Sequence, residues 1–179
     1  GASKYTFLLN AEAGIMDDLI VTRLCDDRFM IVANAARAAI DQAWIRDHAS
    51  GHDVAIEVLD RAFLALQGPD AASVMANAGF DVTGLAFMSG FEPRPGWFAT
   101  RSGYTGEDGF EVALPVDRAA EFAGALAEDE RVEWIGLAAR DSLRLEAGLC
   151  LYGNDLDGKT DPASAGLAWA IPKALRTGG

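Results

Sequence analysis

The sequence predicts an α+β fold of mostly antiparallel sheets with packed helices, assembled from ferredoxin-like pieces. Three observations carry this. Strand-like runs come in consecutive pairs and triplets, which favours antiparallel pairing over a doubly wound parallel sheet. The rhythm β-β-β-α-β-β-α belongs to ferredoxin-like units. Helical runs stop at glycines, Gly51, Gly79 and Gly148, which can take the left-handed conformation that ends a helix.

In chain order, residues 5–10, 17–24 and 28–34 read as three strands, with turns at Ala13-Gly14 and at C-D-D, 25–27. Residues 35–49 are Ala-rich, and Ile40, Ala43 and Trp44 recur at helical spacing, with Asn34 placed to cap the N-terminus. Strands are expected at 53–59 and 62–67. Asp70 then caps a helix over 71–78. Further strands are expected near 86–89, 97–103 and 109–114. Pro115 and Asp117 open a helix over 117–127, a strand follows at 131–135, and a helix covers 138–147. Residues 149–171 are loop-rich, with L-A-W-A-I strand-like at the end.

Half of the 179 residues are apolar, enough for one large domain or two small ones. The formal net charge of −12 argues against a nucleic-acid partner, because phosphate binding leans on a surplus of Lys and Arg. No apolar run approaches the roughly 20 residues of a membrane-spanning helix. Cys25 and Cys150 are far apart and lack C-x-x-C spacing, so reduced thiols are expected rather than a disulfide framework or zinc site. His48 and His52 are the only histidines, both in the polar stretch D-H-A-S-G-H-D, which leaves a His-based triad or metal site little to work with.

Three groups of residues could carry chemistry. G-I-M-D-D-L-I-V holds Asp17 and Asp18 side by side. Neighbours on a strand point to opposite faces, so only one should face a given pocket. The other reading is a hairpin in which one of the two side chains bonds the backbone after the turn. Second, R-S-G-Y-T-G-E-D-G-F-E-V-A-L-P, 101–115, is a Gly-rich turn running into a strand that carries Glu111 among apolar residues. It lacks phosphate-cradle spacing. Glu111 is either an exposed edge residue or a carboxylate whose two oxygens receive adjacent N–H donors of a flat heterocycle. Third, Arg140 and Arg144 lie four apart on one helix face. They suit bidentate binding of a carboxylate, or a salt-bridge face with Asp141 and Glu146.

Six segments occur in a telling order: K-Y-T-F-L-L-N, G-I-M-D-D-L-I-V, V-A-N-A-A-R, A-L-Q-G-P, G-Y-T-G-E-D-G-F-E-V-A-L-P and A-A-R-D-S-L-R-L-E-A-G-L-C-L-Y-G-N-D-L-D. Together they closely resemble the aminomethyltransferase (T-protein) family of the glycine cleavage system, over residues 4–171. The K-G-C-x-x-G-Q-E stretch of iron–sulfur assembly folate-binding proteins is absent, and dimethylglycine- and sarcosine-oxidising enzymes usually vary the last segment. The resemblance implies the T-protein folate-binding fold. It implies that the methylene of the aminomethyl group on the lipoyl arm of the H-protein passes to tetrahydrofolate, releasing ammonia. The alternative is a folate-binding module of the same fold, related to those oxidising or assembly proteins, without this transferase activity.

By position, Asp17 matches the family's essential aspartate, which would orient the attacking amine and stabilise the developing iminium cation. Glu111 matches the carboxylate that reads the pterin, and Arg140 a folate-site arginine. Tyr5, Asn34, Tyr104, Arg144 and Tyr152 match positions that line or support the pocket. No metal is implied. Tetrahydrofolate is the co-substrate and the lipoylated H-protein the partner, with neither nucleic acid nor membrane involved. The setting would be a bacterial cytoplasm, or the mitochondrial matrix in a eukaryote. The whole of 1–179 is expected to be a folate-binding aminomethyltransferase core, a fragment lacking the family's N-terminal segment and C-terminal β-domain. One departure is Ala13, where the family usually has a second glycine; only the turn should change.

Overall fold

The computed structural model describes residues 1–173. The chain divides into two compact units, one of residues 1–3 with 59–149, the other of residues 4–58 with the stretch from 150 onward.

The unit containing residues 4–58 is built on a three-stranded sheet: β1 (Ser3–Leu9), β2 (Ile15–Arg23) and β3 (Phe29–Val32), in that spatial order. β2 and β3 pair antiparallel, Ile20 opposite Val32 through Arg23 opposite Phe29. Ile15, Asp17 and Leu19 alternate along β2 and are all buried, so an aspartate occupies a core position on that face. The β1–β2 turn is held by the Asn10 carboxamide, whose oxygen accepts from the Glu12 and Gly14 backbone N–H groups at 3.0 and 2.8 Å. Gly14 is needed there because a Cβ would overlap the Gly158 carbonyl. Ala13, in the same turn, sits in the left-handed region at φ 64°.

After β3 the chain makes a 3-10 turn, Ala35–Arg37, and enters α1 (Ala38–Ala49). The expected apolar stripe is displaced. Ile40 is 42% exposed, whereas Asp41 is 2% exposed. The inward face runs through Asp41, Trp44 and Ile45, three and four residues apart, with a carboxyl where the periodicity favours an apolar side chain. Asn34 makes no side-chain cap, because its amide is engaged elsewhere, and Asp70 makes none on the next helix. Gly51 follows α1 at φ 85°.

The other unit carries a four-stranded antiparallel sheet in the order β4 (Ala62–Gln67), β7 (Gly109–Leu114), β6 (Phe98–Arg101) and β5 (Ser89–Phe91). Three helices complete it: α2 (Ala71–Asn77), α3 (Ala119–Ala127) and α4 (Leu137–Glu146). The alternating Phe110, Val112 and Leu114 of β7 point into a core shared with Val74, Met75, Phe80, Trp97, Phe122 and Leu126. Phe80, Trp97 and Phe122 pack ring on ring at 5.1–5.7 Å between centroids.

Three expected strands are absent. Residues 53–59 form no strand, and Val54, Ile56 and Val58 are exposed, so their alternation has neither a ladder partner nor a buried face here. Residues 131–135 are likewise irregular, with Trp134 70% exposed. L-A-W-A-I forms a 3-10 turn, Ala168–Ala170, instead of a strand. The strand expected at 86–89 begins at Ser89 and runs to Phe91, because residues 84–87 are turn and irregular backbone.

Candidate functional site

The candidate residues divide between the units: a first cluster around Asp17 in one, and in the other a second cluster around Glu111 and the α4 arginines Arg140 and Arg144 with partners of their own. In the first, Asp17 is fully buried on β2. A buried carboxylate is costly unless hydrogen-bonded, and Asn34 supplies the donors. Its backbone N–H donates to Asp17 Oδ2 at 3.1 Å and its Nδ2–H to Oδ1 at 2.9 Å. The same Nδ2 donates to Asp18 Oδ1 at 3.0 Å and to the Asp18 carbonyl at 3.1 Å. Along β2 Asp17 keeps the buried face and Asp18 is half-buried, yet the one amide serves both carboxyls. Continuing the β2–β3 register by two residues sets Asn34 opposite Asp18, and from that edge one amide reaches both carboxyls. Tyr5 OH donates to the remaining Asp18 oxygen at 2.9 Å, and its ring stacks on Trp169 at 5.7 Å. Burial, more than the charge of Asp17, raises the Asp18 pKa above its ordinary value.

Two residues that sequence reasoning passed over complete this cluster. Arg37 donates from Nε to the Met16 carbonyl at 3.0 Å, and its guanidinium lies 5.0 Å from the centroid of the Tyr152 ring. Asp41 turns its carboxyl toward Asp17, and no N–H or O–H donor among the described residues reaches either of its oxygens. Its pKa is raised to about 7, by burial first and then by Asp17, with Arg37 opposing. Burial also raises the Tyr152 phenol. The available sequence signal for Asp41 was an acid three residues before Trp44 in an Ala-rich helix that also carries Asp47, which reads equally well as a solvated position.

In the second cluster, Glu111 sits on β7 between Ala65 of β4 and Thr100 of β6. The Ser102 hydroxyl donates to Glu111 Oε2 at 2.8 Å and shares a 2.6 Å hydrogen bond with Thr100 Oγ1, so a hydroxyl relay positions the carboxylate. Ser102 and Thr100 are buried, and sequence reasoning missed both. The Gly-rich turn before β7 closes over Gln67. A Cβ at Gly103 or Gly109 would overlap the Gln67 side chain, whose Nε2–H donates to the Ser102 carbonyl at 3.1 Å. Asp108 is taken up by Arg101, at 2.9 and 2.7 Å, which lowers its pKa.

The two arginines of α4 part company. The Arg140 guanidinium lies over the Tyr104 ring, 4.6 Å from its centroid, and no carboxylate among the described residues pairs with it. Arg144 is buried, donating from Nε to Asp141 at 2.8 Å and from Nη1 to the Leu149 carbonyl at 3.0 Å. With Asp141 it forms the salt-bridge face that was the other reading of this pair.

Chemically, the first cluster offers a buried carboxylate held by two N–H donors. The second offers a carboxylate with one oxygen committed to a hydroxyl, and an arginine stacked on a tyrosine. Among the described residues no set of His, Cys, Asp and Glu is arranged to hold a metal ion, and no helix is long and apolar enough to cross a membrane.

The GCVT N-terminal domain family model matches residues 1–174. The chain is 45% identical to the mitochondrial aminomethyltransferase of Gallus gallus, over 99% of this chain and 48% of that protein. It is 46% identical to the Homo sapiens counterpart, over 93% of this chain and 44% of that protein. In three dimensions it matches the crystal structure of glycine cleavage system aminomethyltransferase T from Bartonella henselae with a TM-score of 0.96 and 58% identity, covering 98% of this chain and 49% of that one. The chain therefore spans about half the length of the relatives it matches.

Proposed function

The chain belongs to the GCVT N-terminal domain family, and from that membership we propose that it is the folate-binding core of a glycine cleavage aminomethyltransferase. The carrying observation is the 58% identity with a TM-score of 0.96 to glycine cleavage system aminomethyltransferase T, sustained over nearly all of this chain. The proposed partners are tetrahydrofolate and the aminomethyl-bearing lipoyl arm of the H-protein. The proposed setting is the bacterial cytoplasm, or the mitochondrial matrix in a eukaryote, in keeping with the names of the eukaryotic relatives.

The donor set fits a reduced pterin with a carboxylate tail. Glu111 has one oxygen held by Ser102 and the other without a donor among the described residues, so it accepts from adjacent ring N–H and amino groups. Arg140, propped on Tyr104, offers its guanidinium fork to a carboxylate. Tetrahydrofolate supplies, when bound, the nitrogen nucleophile that accepts the one-carbon unit. Asp17, which matches the family's essential aspartate, offsets the positive charge developing on the transferred carbon, and within its own unit its position is fixed by Asn34. Tyr5 and Asn34 support the aspartate pair, Tyr152 borders it through Arg37, and Arg144 anchors the helix that carries Arg140.

Removing the Glu111 carboxylate leaves the ligand's donors unpaired, at about 1.5–3 kcal/mol for hydrogen bonds to a charged group. Calorimetric titration with 5-formyltetrahydrofolate should therefore show binding weakened about 10- to 100-fold in Glu111→Ala. Unchanged affinity in that variant would sink the assignment of Glu111.

A further inference from the structure

Among the described residues, Asp41 is a buried carboxyl with no donor on either oxygen, whereas Asp17, the other buried acid there, accepts two N–H bonds. The local chain explains how it arrives there. Asn34 and Arg37 are both tied to β2, at Asp17 and at the Met16 carbonyl, so the first turn of α1 is pinned against that strand. Asp41 occupies that first turn and meets the Asp17 carboxyl.

Two carboxyls in contact and out of water cannot both be ionised at modest cost; one holds a proton between them. Which one holds it follows from the donors. Asp17 already receives hydrogens from the Asn34 backbone and side chain. Among the described residues Asp41 receives none, so a proton of its own is the hydrogen that bridges the pair. We propose that Asp41 is a positioning residue that carries this proton and donates it to Asp17, holding the reactive carboxylate in a single orientation through three hydrogen bonds. The charged and titratable groups facing the pair are Arg37, which favours ionisation of Asp41, Asp18, which shares the Asn34 amide with Asp17, and the Tyr152 phenol. Only a proton changes place, so no co-reactant is needed. Above neutrality Asp41 ionises, the bridge is lost and two like charges meet at the same spot.

The catalytic part of this rests on the aminomethyltransferase reading; the shared proton does not, which allows the two to fail separately. Carbon-13 carboxyl NMR of the full chain tests the proton. Asp41 should report a protonated carboxyl at pH 5.5 and lose it near neutrality, with the Asp17 resonance moving in the same step. That step should vanish in Asp41→Asn. An Asp41 already ionised at pH 5.5 overturns the proposal, whatever the protein catalyses. Aminomethyl transfer by the intact gene product tests the positioning. Asp41→Leu should cost at least about 10-fold in kcat with KM for tetrahydrofolate within about 3-fold. Asp41→Asn, which keeps a donor toward Asp17, should recover most of that loss and flatten the decline above neutrality. A native pH profile in Asp41→Asn, or equal losses in both variants, overturns the positioning role. A shared proton in a protein with no aminomethyl transfer would retire the functional reading and leave the proton bridge standing.

Discussion

At Ala13 the backbone adopts a conformation that its side chain resists. Its φ of 64° costs an L-residue roughly 1–2 kcal/mol against glycine, while glycine returns roughly 0.5–1 kcal/mol through the greater freedom of the unfolded chain. Ala13→Gly should thus stabilise the chain by about 0.5–1 kcal/mol, seen as a higher denaturation midpoint at unchanged m-value. A lower midpoint would mean that the turn relaxes around alanine. At this scale part of the site could be read in advance. Asp17 and Glu111 stand out because each interrupts an apolar strand. What supports them does not: Ser102 and Thr100 are ordinary β residues until the pairing of β6 with β7 brings them beside Glu111. Asp41 looks like any helix-surface acid until Asn34 and Arg37 fix which face of α1 turns inward.

Agreement of two sequence signals did not by itself decide which elements form. β7 combines strict alternation with a glycine turn before it, and it appears where expected, at Gly109–Leu114. The run at 53–59 also alternates and follows Gly51, and V-E-W at 132–134 alternates too, yet neither forms a strand. A strand also needs a neighbour for its backbone groups, and pattern cannot say whether one exists. α4 shows the reverse case, in which the helix was plain and the work of its arginines was not. Arg144 satisfies the carbonyl of Leu149 just beyond the helix end, besides pairing with Asp141. Removing it strands that carbonyl and opens a gap under the helix. Arg144→Ala should cost about 1–3 kcal/mol of stability and loosen the segment that presents Arg140. Hydrogen exchange across residues 137–149 measures both effects; native protection there would show that Arg144 is dispensable to the helix end.

At the scale of the molecule, the carboxyls whose pKa values are displaced fall into two classes with opposite pH effects. Asp108, Asp129, Asp157 and Asp161 are lowered by arginine, hydroxyl or backbone donors, so their contribution is lost as pH falls through the acid range. Asp41 is raised from 3.8 to about 7, so the folded chain binds the extra proton between those values. Its contribution is complete below about pH 4 and is lost as pH rises through 7. Stability should peak in mildly acidic solution. Asp41→Asn should remove the decline on the alkaline side, a gain on the order of a few kcal/mol at pH 8, read from denaturant melts at pH 5 and pH 8. A native decline in that variant would assign the pH dependence to other groups.

The proposed activity is tested most directly by aminomethyl transfer from lipoylated H-protein to tetrahydrofolate, in the intact gene product and its Asp17→Asn variant, with reduced-folate binding measured alongside. A buried carboxylate that assists a proton-coupled transfer is worth roughly 10²–10⁴ in rate. The predicted result is turnover by the native protein, a loss of at least about 100-fold in Asp17→Asn, and folate affinity retained. Native protein without transfer, or a variant within a few fold of it, would contradict the account.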